Sequence, residues 1–231
     1  MTKACVQSIL AQDIGDVWLY TIDNASGDGT GQWLRSFPLR TTVISHLQPV
    51  SLHRVWNEAL TLAFDSLRLD YALIVNNDVT LRTDTYRLLV QDGGPFVTGV
   101  PVNDFAQVEH ANPSSKSPHP SFSCFLIRRE VWKRVGRFDE SMWAWAGDLD
   151  YHLRMHALGI DAIAIDVPFL HEGSATIRHA PREEHERLCK LADADRATFE
   201  RKWGCKVGSD EYYAHFIATR KQSYAAEHAN G

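Results

Sequence analysis

Four clusters of polar residues in this chain have the types and spacing to do chemistry. The first, Asp23-Asn24-Ala25-Ser26-Gly27-Asp28-Gly29-Thr30, follows the apolar run Val17–Ile22 (VWLYTI). In open α/β sheets ligands bind at the carboxyl ends of strands, and a glycine-rich turn lets backbone approach a ligand closely. A carboxylate placed there, Asp23, can accept hydrogen bonds from a nucleobase imide or a ribose hydroxyl. The same residues also build an Asx-type turn that caps the next helix, and the motif alone favours neither reading.

The second cluster, Asn76-Asn77-Asp78, follows the apolar run Tyr71–Val75 (YALIV). A carboxylate at a strand end, beside amide groups, suits a hard divalent cation that holds a diphosphate. Taken by itself, Asn-Asn-Asp is more often ordinary turn chemistry. The third cluster joins Gly136-Arg137-Phe138-Asp139-Glu140 to Trp143-Ala144-Trp145-Ala146-Gly147-Asp148-Leu149-Asp150-Tyr151. Acids at a helix start complement its dipole, yet Asp148 and Asp150 fall on different sides of a helix and need not share a role. The tryptophans before them can form a platform for an acceptor, although core packing is the commoner fate of Trp. The fourth is His171, and a lone His is more often a core or surface residue than a ligand.

The elements that must position these clusters alternate between two patterns. Val17–Ile22, Thr41–Ser45 and Tyr71–Val75 read as buried strands, with Phe96–Val102, Ser123–Ile127 and Ala162–Ile165 as further strands. Leu52–Leu67 carries Val55, Leu60 and Phe64 at helical spacing, and Trp143–Leu158 runs into a helix that stops at Gly159. Strands alternating with helices predict an α/β fold with a largely parallel sheet. Asn103–Pro120, rich in Pro, Asn and Ser, reads as a long functional loop. A charged helix is expected from Glu183 to Trp203, and a further one over Asp210–Ala226.

Bulk properties narrow the function. The chain has 231 residues, 44% of them hydrophobic, and a net charge of −5. That balance fits one large domain with a real core and argues against a dedicated nucleic-acid binder, which clusters Lys and Arg against phosphates. Cys5, Cys124, Cys189 and Cys205 form no CxxC pair and are too few for a disulfide scaffold, so reduced thiols and a cytoplasmic location are expected. No apolar run is long enough to span a bilayer.

Taken in order, the clusters resemble the family-2 glycosyltransferases of GT-A fold, especially their rhamnosyltransferase-like members. The resemblance rests on Asp23–Thr30, Asn76–Asp78, Phe125–Val131 with its Arg-Arg-Glu-Val, Gly136–Glu140, Trp143–Tyr151, His171–Ser174 and Phe199–Gly204 (FERKWG). It covers roughly residues 4 to 204 and implies a GT-A domain over 1–204, with a helical tail over 205–231. By this resemblance Asp23, Asn24, Ser26, Asn57, Asn77 and Asp78 contact the nucleotide. Asp78 and His171 hold Mn²⁺ or Mg²⁺, and Asp148 is the general base of an inverting transfer. The donor is then a UDP-sugar or dTDP-rhamnose. The acceptor is a glycan, a lipid-linked sugar, a protein side chain or a modified base.

Three departures stand out. Asn76 replaces an acid in the metal triplet, Gly147 stands where many relatives have an acid, and the chain opens on the helix KACVQSILAQ, without the usual first strand. Two rival readings are a nucleotidyltransferase and a non-catalytic nucleotide-sugar binder derived from a transferase. The first needs a Gly-rich, Lys/Arg-bearing loop near its start, which is not visible. The second is opposed by the retention of Asp78, Asp148 and His171. For the base, an ordinary carboxylate pKa is expected to suffice at neutral pH.

Overall fold

A computed structural model describes residues 1–14, 18–37, 41–106, 120–173 and 180–216. Its organising strand is β6 (Cys124–Arg128), whose side chains alternate between two cores, as the two-residue period of a strand requires. Phe125 and Ile127 enter one core with Trp56, Phe64, Phe96, Phe138 and Tyr151. Cys124 and Leu126 enter the other with Val79, Leu89, Val97 and Phe169. A strand covered on both faces reads as an unbroken apolar run, which is why CFLI shows no polar alternation.

Around it lie β3 (Tyr71–Val75), β5 (Phe96–Val102), β7 (Ala162–His171) and a short β4 (Val79–Thr80), in the order β3-β6-β5-β7-β4. A separate two-stranded parallel sheet joins β1 (Leu19–Asp23) to β2 (Thr41–Ser45). The helices are α1 (Thr2–Leu10), α2 (Thr30–Arg35), α3 (Leu52–Thr61), α4 (Thr85–Asp92), α5 (Arg129–Val135), α6 (Gly147–Ala157) and α7 (Arg182–Trp203). Residues 62–66 extend α3 by a π turn.

The α/β class and the central sheet flanked by helices are as expected. The sheet is mixed rather than largely parallel, because β6 runs antiparallel to both β3 and β5, and β4 antiparallel to β7. Only β1–β2 and β5–β7 pair in parallel. Among the described residues β1 and β3 each pair on one side only. Both line one cleft, β1 along its whole length and β3 through Leu73, Ile74 and Val75. Tyr71–Val75, expected as a buried strand, is accordingly only half-buried along its length.

β7 runs on to His171, six residues beyond the expected strand, and this extension pairs with β4 at Val79↔His171. Cys205, Tyr212 and Phe216 pack with Met142, Leu153 and Phe199, so the chain beyond Gly204 shares a core with α6. All four cysteines are free. No helix among the described residues is long and apolar enough to cross a membrane. Val17, most of the loop Asn103–Pro120 (107–119), Ser174 and the tail beyond 216 lie outside the described residues.

Candidate active site

A cleft of roughly 1360 Å³ opens at the carboxyl ends of β1 and β3. Asp23, Asn24, Ser26, Asn77, Asp78, Asp148 and His171 all line it, together with Trp143 and Trp145. Asn57 does not.

Asp23 closes β1 and is buried. One carboxylate oxygen accepts the Ser26 N–H at 3.1 Å, so the Asx turn is real. The other oxygen lies over Gly31 of α2, where any side chain would collide with it. The residue that makes the turn thus also lines the cleft. Asn24 serves the cleft differently. Its amide donates to the Val50 carbonyl at 2.8 Å and its carbonyl accepts the Val50 N–H at 2.9 Å. This two-way bond commits the Asn24 side chain to holding the cleft rim.

Asn57 requires a correction. It is fully buried on α3, donating to the Phe138 carbonyl (3.0 Å) and Glu140 Oε1 (2.8 Å) and accepting the Phe138 N–H (2.8 Å). Both amide hydrogens and the amide carbonyl thus anchor the Gly-Arg-Phe-Asp-Glu segment, and burial closes the side chain to a ligand.

Asp78 and His171, far apart in sequence, meet because β4 pairs with the end of β7. Asp78 Oδ2 lies 3.4 Å from His171 Nε2, and the Ser123 hydroxyl is 3.1 Å from the same nitrogen. The Asn76 carbonyl accepts a bond from the Cys5 thiol at 3.3 Å, and Asn77 donates to the Thr2 hydroxyl. Burial, with Asp78 nearby, pushes the Cys5 thiol up to about 12, so it stays a neutral donor. Among the described residues no third His, Cys, Asp or Glu joins Asp78 and His171. One carboxylate and one imidazole are too few to cage a cation alone, but they fit one that shares its coordination with phosphate oxygens and water.

Asp148 stands in the first turn of α6 at the cleft wall, where Oδ1 accepts the Leu149 N–H at 2.9 Å. Burial raises its carboxyl above the ordinary carboxylate range, opposed by His53 and the Leu149 amide. The expectation of an ordinary pKa is thereby revised. A raised value brings a base closer to neutrality, where proton transfer is most effective. Asp150, two residues on, faces away and is fully buried. It accepts from Arg154 (2.9 Å), Lys202 (2.8 Å) and Trp203 Nε1 (3.0 Å), tying α6 to α7.

One positioning group was not read from the sequence. Asp195, buried on α7, accepts three consecutive backbone N–H groups: Trp143 at 2.7 Å, and Ala144 and Trp145 at 2.9 Å each. It fixes the aromatic segment that leads into Asp148. Its signal was present, since Leu188, Ala192, Asp195 and Phe199 form one buried stripe at helical spacing and Asp195 occupies a core position in it. The same helix brings Glu184 and Arg187 to the cleft, with the Arg187 guanidinium 5.9 Å from the Trp143 ring centroid. Asp195→Ala should cost about 1–3 kcal/mol by stranding backbone donors. It should also speed hydrogen exchange at the amides of residues 143–145, whereas unchanged exchange would show that the segment holds itself.

No protein-family model and no curated protein matches this chain. Among solved structures, S. aureus TarS 1–349 in complex with UDP is similar with a TM-score of 0.55 and 16% identity, covering 86% of this chain and 68% of that one. GalNAc-T7 with UDP, GalNAc and Mn²⁺ is similar with a TM-score of 0.53 and 11% identity, covering 72% of this chain and 40% of that one. At such identities the likeness shows the fold, which is the GT-A arrangement of the glycosyltransferases.

Proposed function

We propose that this chain is a nucleotide-sugar glycosyltransferase that moves a sugar, with inversion, from a nucleoside diphosphate to an acceptor hydroxyl. The observation that carries the proposal is the single cleft that gathers Asp23, Asp78, His171 and Asp148 with Trp143 and Trp145. Both similar structures hold UDP, which makes UDP-sugars the first donors to test, ahead of dTDP-rhamnose.

In this reading Asp23 accepts from the base or ribose, and Asp78 with His171 receives the diphosphate end of the donor. A divalent cation held there, Mn²⁺ as in the GalNAc-T7 complex or Mg²⁺, would neutralise charge on the departing diphosphate. Asp148 takes the proton from the acceptor hydroxyl as that oxygen attacks the anomeric carbon. Trp143 and Trp145, held by Asp195, offer apolar faces to the acceptor. Orienting both reactants in one cleft supplies much of the remaining acceleration.

Calorimetric titration with UDP and with dTDP, in the presence of Mn²⁺ and of a chelator, tests the donor site. Binding should be strong only with the metal, and Asp78→Ala should abolish the metal-dependent part while the protein stays folded. Equal affinity with and without Mn²⁺, or full metal dependence in Asp78→Ala, would remove Asp78 from the site. Asp23→Ala should weaken nucleotide affinity in both conditions, because it acts on the nucleoside end.

A further inference from the structure

Glu184 and Arg187 line the same cleft as Asp148, and the reaction as described gives them no role. They lie three residues apart on α7, so their side chains leave one face of the helix together. Leu188, the next residue, is buried and anchors that turn. Arg187 Nε donates to Glu184 Oε2 at 2.7 Å, and Nη2 donates to Oε1 at 2.6 Å. Such a fork lays guanidinium and carboxylate side by side in one plane. These bonds hold the Glu184 carboxyl below its ordinary range and the Arg187 guanidinium above its own, so both stay ionised.

Comparable pairs on α7, Arg182–Glu186 and Asp193–Arg196, are more exposed, and neither lines the cleft. Exposed pairs of that kind contribute little to stability. What sets Glu184–Arg187 apart is its neighbour. The guanidinium stands 5.9 Å from the centroid of the half-buried Trp143 ring. That is near the outer limit of a cation–π contact, so it borders the ring without being pressed onto it. Trp143 is itself held at both ends. Its N–H donates to Asp195 at 2.7 Å, and its carbonyl accepts the Leu52 N–H at 2.7 Å.

The chemistry of these three side chains selects a ligand. Arg187 uses two of its N–H groups on Glu184 and keeps the others, and each Glu184 oxygen has a lone pair to spare. The pair thus offers donors and acceptors together, as neighbouring hydroxyls require. It is also electrically neutral as a unit. A phosphate approaching Arg187 meets Glu184 as well, and an alkyl chain would strip water from both ions without replacing it. A sugar ring, with an apolar C–H face for Trp143 and hydroxyls at its rim, satisfies all three groups.

We propose, resting on the transferase reading, that Trp143, Glu184 and Arg187 form an acceptor subsite and that it takes an uncharged sugar ring. The sugar lies on Trp143, its rim hydroxyls bond to the Glu184–Arg187 pair, and the reacting hydroxyl turns to Asp148.

Tryptophan fluorescence and saturation-transfer NMR test this on the full chain, with UDP and Mn²⁺ present to fill the donor site. The probes are the methyl glycosides of glucose, galactose, mannose and rhamnose, with glucose 6-phosphate and adenosine as anionic and nucleobase controls. At least one glycoside should bind saturably, and more tightly than either control. Arg187→Met, which keeps an unbranched apolar stem, should weaken that glycoside by about tenfold or more. Glu184→Gln should weaken it too and, by releasing the guanidinium from its carboxylate, strengthen glucose 6-phosphate by about tenfold. A pair that only decorates the helix would move neither affinity. The proposal is overturned if no glycoside binds saturably, if both variants bind like wild type, or if a control binds more tightly than every glycoside. UDP titration of the same samples separates this from the reading beneath it. Protein that binds UDP with Mn²⁺ but no glycoside loses only the subsite, and protein that binds neither loses both.

Discussion

Replacing Asp148 by Asn should lower sugar transfer by about 10²–10⁴-fold, the usual worth of a general base, while donor affinity stays within about twofold of wild type. Asparagine keeps the size of the side chain and its acceptor for the Leu149 N–H, and removes the proton acceptor. The same substitution should raise thermal stability at neutral pH. Burial keeps the Asp148 carboxyl protonated to a higher pH in the folded protein than in the unfolded chain. Over that window the folded state binds more protons, so stability falls as pH rises through it. Wherever Asp148 is ionised in the folded protein its charge therefore opposes folding, and the neutral amide relieves that cost. Thermal denaturation from mildly acidic to neutral pH should show the variant gaining on wild type as pH rises. A variant less stable than wild type at every pH would mean that Asp148 is a structural carboxylate.

Asp150→Asn should do the reverse. Asp150 is fully buried, and its carboxylate is shared by Arg154, Lys202 and Trp203 Nε1. Breaking a buried pair from one side costs several kcal/mol, but Arg154 and Lys202 are 22% and 36% exposed and can recover water. A loss of about 2–4 kcal/mol is expected, or roughly 5–15 °C in Tm for a chain of this size. Below its unfolding temperature the variant should still bind donor and transfer sugar at near the normal rate. Loss of transfer confined to Asp150→Asn, with Asp148→Asn nearly normal, would put the base on the wrong carboxylate.

How much of this was legible in the sequence differs by element. Tyr71–Val75, Phe96–Val102 and Thr41–Ser45 were readable to the residue, because apolar runs between polar turns report strands directly. The extension of β7 to His171 was not, since Pro168 sits inside it and reads locally as a stop. That extension is what brings His171 to Asp78, so this pairing rested on resemblance rather than on residue pattern. Asn57 shows the opposite failure. Its place in a motif drew it to the ligand, whereas the three bonds it makes to Phe138 and Glu140 depend on contacts more than eighty residues away. Asp195 was legible in principle as a polar residue on the apolar stripe of α7. Recognising it requires treating a polar residue at a core position as a question about its partner.

The mixed sheet has a similar origin. Strand direction follows from connections, and the long stretch between β5 and β6 carries no local sign of whether it returns the chain parallel or antiparallel. Period alone places residues on faces and leaves direction open.

A catalytic cleft must do more than bind a nucleotide sugar, and single-turnover breakdown of a radiolabelled UDP-sugar separates the two cases. Excess purified protein is given the donor, with dTDP-rhamnose in parallel and water as the acceptor. Mn²⁺ is supplied in one arm and a chelator in the other. Nucleoside diphosphate release should depend on the metal and fall by about 10²–10⁴-fold in Asp148→Asn, although that variant still binds the donor. Donor that binds with metal, yet is recovered intact from wild type and variant alike, would refute catalysis and leave a nucleotide-sugar binder.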